Sequence, residues 1–88
     1  MLKISTIEST EETVSIRIDG RISRECVKLL EKTCKAHLKK GLKLSVDLRN
    51  VSFVDRDGIA MLRKMTEYKV EFLNASPFIA EQIRRLSS

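Results

Sequence analysis

Hydrophobic and polar residues alternate strictly in two stretches of this chain. Over 13–19, Val14, Ile16 and Ile18 fall on one side and Ser15, Arg17 and Asp19 on the other. Over 42–48, Leu42, Leu44, Val46 and Leu48 oppose Lys43, Ser45 and Asp47. A period of two is the mark of a β-strand with one buried face. Residues 2–8 repeat the pattern more weakly, with Leu2 and Ile4 against Lys3 and Ser5. The polar run 8–12 separates this segment from the next strand, so the pair is expected to form an antiparallel hairpin. Residues 69–74 read as a fourth strand.

Between the strands the apolar spacing changes to that of helices. Gly20 is expected to break the second strand, Ser23 to cap a helix over 24–40, and Glu25 to suit its first turn. Cys26, Leu30, Cys34 and Leu38 form its apolar stripe, flanked by Val27, Leu29 and His37. Lys39 and Lys40 fall in the last turn and Gly41 is the stop. Residues 49–54 read as a loop with apolar anchors. A second helix is expected from near Asp57 to about Thr66. Ser76-Pro77 starts a third, with the cap followed by proline at the first helical position. That helix should carry Phe78, Ile79, Ile83 and Leu86 inward and end near Leu86.

The resulting order is β-β-α-β-α-β-α. One side of each strand is polar throughout, whereas strands covered on both faces read as continuous apolar runs. The expected architecture is therefore an α/β two-layer sandwich. It is a four-stranded mixed sheet with helices packed on one face and parallel pairing across the later crossovers. The other face is left to solvent or a partner.

Length and composition narrow the setting. The chain has 88 residues, enough for one domain (1–88) and too few for two. It has no apolar run of bilayer length and no charged-then-apolar leader, so cytoplasmic localisation without membrane insertion is expected. Cys26 and Cys34 stand eight positions apart in one helix, about 12 Å at ~1.5 Å per residue. That exceeds the reach of a disulfide. Net charge is +5 and the pI about 9.5, which permits an acidic partner, a nucleic acid or an anionic membrane surface. Arg24, Lys28, Lys32, Lys35 and Lys39 make a basic stripe on the first helix, interrupted by Glu25 and Glu31. No recognition-helix motif or aromatic platform accompanies it, so nucleic acid is not the expected partner.

Candidate chemistry is sparse. Gly41-Leu42-Lys43 lacks the upstream glycine of a phosphate loop. The one histidine, His37, borders an apolar stripe and supports no nucleophile-base arrangement, and no cysteine pair has metal-ligand spacing. No enzyme activity, cofactor or metal is expected. The informative segment is Asp55-Arg56-Asp57-Gly58, where a strand and short loop run into a helix. Asp57 is placed at the cap, Asp55 at the end of the loop, and Gly58 where the backbone needs close approach.

This segment resembles the signature of STAS domains, the anti-sigma factor antagonist family, in which a hydrophobic residue precedes an Asp-Ser-Ser/Thr-Gly turn. Gly20-Arg21-Ile22-Ser23 is similar to the family's glycine-led turn into its first long helix. The element order and Asn74-Ala75-Ser76-Pro77 agree over essentially the whole chain. The resemblance implies a non-catalytic regulatory domain that binds a protein partner. In antagonist members the second hydroxyl residue of the turn is phosphorylated by a kinase-type anti-sigma factor, which releases the partner. Here Arg56 and Asp57 replace the two hydroxyl residues, so Asp57 is the phosphoacceptor-equivalent position and is not switched by serine phosphorylation. It either imitates the phosphorylated state or caps the helix in a member with no switch. Phosphorylation of Asp57 itself would want further acids for Mg²⁺, and only Asp55 is at hand. The expected partner is a kinase-type anti-sigma factor or, alternatively, the ATPase of an ABC phospholipid transport system; weak self-association is allowed. The expected contact residues are Asp55, Arg56, Asp57, Gly58, Ile59, Met61 and Leu62, flanked by Gly20, Arg21, Ser23 and Arg24. Met61 and Met65 are expected in the core or as a soft contact edge.

Overall fold

The computed structural model describes residues 2–85. Its elements are β1 (Leu2–Ser9), β2 (Thr13–Ile22), α1 (Arg24–Lys39), β3 (Lys43–Val54), α2 (Arg56–Thr66), β4 (Glu71–Leu73) and α3 (Pro77–Arg85). The strands form one sheet in the order β1-β2-β3-β4. β1 and β2 are antiparallel, and β2–β3 and β3–β4 are parallel. The hairpin is tied by Thr10, whose hydroxyl accepts from the backbone N–H of Thr13 at 2.9 Å and of Glu12 at 3.2 Å. Such side-chain-to-backbone bonding is why threonine suits a turn.

The strictly alternating residues behave as their period requires. Val14, Ile16 and Ile18 of β2 and Leu44, Val46 and Leu48 of β3 are all buried. All three helices cover this one face, adding Leu30 and Cys34 from α1, Met61, Leu62 and Met65 from α2 and Ile79 from α3. Each large apolar side chain so buried contributes roughly 1.5–3 kcal/mol. Gly41 ends α1 with a left-handed φ of 79°, its N–H donating to Leu38 O at 3.0 Å.

The structure departs from expectation at strand ends and two helix faces. β2 does not stop at Gly20. That residue takes a φ of 106° within the strand, and pairing continues to Ile22↔Val54 with register shifts at Arg17/Asp19 and Gly20/Arg21. Residues 49–54 are correspondingly strand, not loop. Bulges change which side a residue faces, so the inward residues there, Val51 and Val54, are three apart and the alternation is lost. β4 is shorter than 69–74, because Lys69 and Asn74 adopt left-handed φ values of 64° and 57°. Leu29 is 54% exposed and Phe78 69% exposed. Phe78 sits a quarter-turn from the inward pair Ile79 and Ile83, so the helix period turns it out. Leu86 lies outside the described residues.

Cys34 is buried, and loss of water pushes its thiol up to about 11; Cys26 is half-buried. The thiolate is the reactive form. A thiol reagent applied to the folded protein near pH 8 should therefore label Cys26 first, with Cys34 reacting only on unfolding in urea. Peptide mapping after timed labelling reads this, and equal native reactivity would contradict the packing of α1.

Candidate functional site

Ile22 and Val54 are the paired last residues of β2 and β3, so α1 and α2 start side by side at the same edge of the sheet. Asp55 stands between them. One carboxylate oxygen, Oδ1, accepts from Gly58 N–H at 2.8 Å in the first turn of α2. The other, Oδ2, accepts from Arg24 N–H at 2.8 Å, the first residue of α1. Its own N–H donates to Ile22 O at 3.0 Å, and its carbonyl accepts from Ile59 N–H at 2.9 Å. One aspartate thus satisfies orphan donors of two helices, which otherwise lack intrahelical partners. The Gly58 N–H bond is the largest influence holding the carboxyl below its ordinary range; the Arg24 and Asp57 N–H groups and the Arg24 charge add to it, against some desolvation.

Gly58 lets α2 come this close. A Cβ there would stand 2.7 Å from Val54 Cγ1, 2.9 Å from Ile22 Cγ2 and 2.9 Å from the backbone oxygen of Ile22. Around the turn, the Arg21 guanidinium lies 5.1 Å over the Phe53 ring, a cation–π contact on an exposed rim. Two clefts open beside it. One, of about 440 Å³, lies between α2 and α3 and includes Val54, Arg56, Ile59, Arg63 and Phe78. The other, of about 380 Å³, lies between α1 and α2 and includes Arg24, Lys28, Asp57 and Lys64.

The structure brings the two expected segments together. Gly20, Arg21, Ser23 and Arg24 adjoin Asp55, Arg56, Asp57 and Gly58, with Asp55 as the link. Within them several roles change. The cap of α2 is Asp55, not Asp57. Asp57 is an exposed acid in the first turn, because the helix is capped two residues earlier than expected. Ser23 occupies the cap position of α1 but makes no side-chain cap bond; Asp55 supplies it, and the Ser23 hydroxyl instead lies 3.8 Å from Cys26 Sγ. Ile59, Met61 and Leu62 are 7%, 4% and 1% exposed. They support the site from beneath and present almost no contact surface; Met65 is likewise core. Phe78 was missed as a site residue. Its position directly after Pro77, ahead of the inward Ile79, was the available signal. Among the described residues, no group of three or more His, Cys, Asp or Glu is placed to hold a metal ion, and no helix is long and apolar enough to cross a membrane.

Solved structures decide the fold. The chain is similar to SpoIIAA, a Bacillus cell fate determinant and anti-sigma factor antagonist, at 22% identity. Its phosphorylated form superposes with a TM-score of 0.72 over 98% of this chain and 84% of that one. The unphosphorylated form gives 0.71 over 90% and 79%. A STAS-domain antisigma-factor antagonist from Rhodobacter sphaeroides gives 0.67 at 11% identity, covering 83% of this chain and 86% of that one. The chain has a STAS-like fold. No protein-family model and no curated protein matches it.

Two substitutions test the core of this site. Asp55→Ala should destabilise the protein by about 2 kcal/mol, since it uncaps two helices at once. The Asp55 carboxyl is held below its ordinary value of 3.8. Its contribution is therefore fully present above that pH and is lost as pH falls through the lower folded value. Urea unfolding should show a wild-type-minus-Asp55→Ala gap that is constant from pH 7 to pH 5 and shrinks toward pH 3 (~3 units below neutrality is where free carboxyls protonate). A gap independent of pH would mean the carboxylate does not bridge the helices. Gly58→Ala should cost roughly 1–3 kcal/mol through overpacking, despite alanine's better helix propensity; a neutral or stabilising effect in the same melts would contradict the close approach.

Proposed function

We propose that this STAS-like protein is a non-catalytic regulatory binding domain whose contact surface is the joined start of α1 and α2. The observation that carries this reading is the Asp55 bridge. It locks the turn before α1 and the turn before α2 into one rigid surface, and leaves Arg24, Arg56 and Asp57 exposed upon it. Preorganised polar groups beside apolar clefts are what a protein interface requires. Arg56 offers a planar, two-pronged donor for a partner carboxylate.

Asp57 occupies the position that corresponds to the phosphoacceptor in antagonists with the Asp-Ser-Ser-Gly turn. As it does not cap the helix, its charge is available to the partner. We assign it the role of a fixed acid: the surface carries one permanent negative charge and is not switched by serine phosphorylation there. SpoIIAA exists in phosphorylated and unphosphorylated forms, which makes a kinase-type anti-sigma factor the first partner to test. The second is a transporter ATPase, which would hold such a subunit without any switch.

The experiment is affinity capture from the source cell with wild type, Arg56→Glu and, as an off-site control, Lys3→Glu. A specific partner should be retained by wild type and the control and lost at least tenfold with Arg56→Glu (about 1.4 kcal/mol). A partner held equally by all three would place the contact elsewhere. If that partner is a kinase-type anti-sigma factor, Asp57→Ser should become phosphorylated at residue 57 on incubation with it and ATP, read by mass spectrometry. An unmodified variant would remove the equivalence with the phosphoacceptor.

A further inference from the structure

Arg24, Lys28, Lys32, Lys35 and Lys39 recur every three or four residues along α1, and all five are exposed. At 3.6 residues per turn they fall within an arc of about 80°, and at ~1.5 Å per residue they extend over roughly 22 Å. Two acids adjoin the row: Glu25, exposed in the first turn, offsets its start beside Arg24 and Lys28, and the acid nearest its middle is already occupied. Glu31 accepts from Lys64 Nζ of α2 at 2.9 Å and lies 3.7 Å from Lys35 Nζ. Among the described residues, Lys28, Lys32 and Lys39 form no ion pair. The core of the protein therefore makes no use of them.

Two exposed apolar side chains, Leu29 and Tyr68, border the row, and Leu38 beside them is half-buried against the core. Leu29 is 54% exposed along its flank, one residue from Lys28. At the far end of α1, Ala36, Leu38 and Tyr68 line a cleft of about 590 Å³ that Lys32, Lys35 and Lys39 also border. Tyr68 is 47% exposed. A helix with cations and apolar side chains on one outward face is suited to a surface that is anionic outside and apolar just beneath. An acidic folded protein would need carboxylates fixed at matching intervals along a straight line. Lipid headgroups are laterally mobile and gather beneath such a line without being prearranged, and the layer below them receives leucine and tyrosine.

We propose that the outer face of α1 docks on an anionic phospholipid bilayer surface, peripherally and without insertion of a helix. This docking needs no partner at the Asp55 turn, although Arg24 and Lys28 border both surfaces. It uses the length of α1 that runs away from that turn.

The test is co-sedimentation of the whole chain with phosphatidylcholine vesicles and with vesicles containing about a quarter phosphatidylglycerol, at physiological ionic strength. Wild type should partition onto the anionic vesicles and not the neutral ones, and raised salt should release it. Two triple variants change the net charge equally. Lys28→Glu/Lys32→Glu/Lys39→Glu should lose binding at least ~10-fold, while Lys3→Glu/Lys43→Glu/Lys69→Glu, away from the row, should lose no more than ~3-fold. Leu29→Ser should weaken partition a few-fold with the charge row intact, which a purely electrostatic attraction would not show. Circular dichroism melts confirm that each variant folds. Equal losses from the two triples would overturn the proposal, since net charge alone would then account for binding. Indifference to phosphatidylglycerol would overturn it too, and so would displacement from vesicles by an equal mass of random duplex DNA.

Discussion

A parallel pair of strands, each followed by a helix, brings two helix N-termini to one edge of the sheet. Each start carries backbone N–H groups with no intrahelical acceptor and the positive end of a dipole. Here β2 and β3 end in register at Ile22 and Val54, so α1 and α2 place these like ends next to each other. The arrangement is unfavourable unless something anionic with two acceptors lies between them. Asp55 meets that demand, with one oxygen for each helix at 2.8 Å. A serine hydroxyl could span one gap and an asparagine has only one acceptor oxygen. The Asp55 N–H adds a further link back to Ile22, so sheet edge and helix starts are fixed as one unit.

What remains for a partner follows from what Asp55 has already satisfied. Because the caps are supplied, Asp57 need not fold back onto α2 and stays exposed. Because Gly58 has no side chain, α2 settles against Ile22 and Val54, which sinks Ile59, Met61 and Leu62 into the core and sets the exposed residues of the turn at a constant height. The proposed contact surface is thus narrow and largely polar at its centre, with Phe53 and Phe78 as exposed apolar rims.

The parts of this fold that could be read from sequence are those governed by local periodicity. Val14, Ile16 and Ile18, or Leu44, Val46 and Leu48, disclose both strand and burial because each faces the core by its own alternation. The second half of β3 could not be read so. Bulges opposite Gly20 and Asp19 shift the register, and those depend on pairing with a strand some thirty residues away. The same separation hid the capping. Ser23 and Asp57 are each the plausible cap by neighbourhood, yet the acceptor for α1 comes from Asp55, 31 residues away. The outward turn of Phe78 was legible only once the start of α3 and its inward phase were read together. With Pro77 fixing the helix start, only the phase set by Ile79 and Ile83 decides which way it points.

On the proposed reading, in which Arg56 and Asp57 stand where antagonists carry two hydroxyl residues, the exchange has a physical meaning independent of any partner. A phosphorylated serine carries about −1.5 to −2 charge and can be returned to zero; aspartate carries −1 at neutral pH and cannot. At the first turn of α2 an anion is favoured by the helix dipole, so Asp57 is compatible with the fold whatever it does at the surface. The arginine beside it balances that charge locally. A turn holding one fixed anion and one fixed cation has complementary features for a partner surface that never changes sign. Any regulation of such a contact must then act through something other than the charge of this turn, such as the partner's own state or the proposed docking of the basic face of α1.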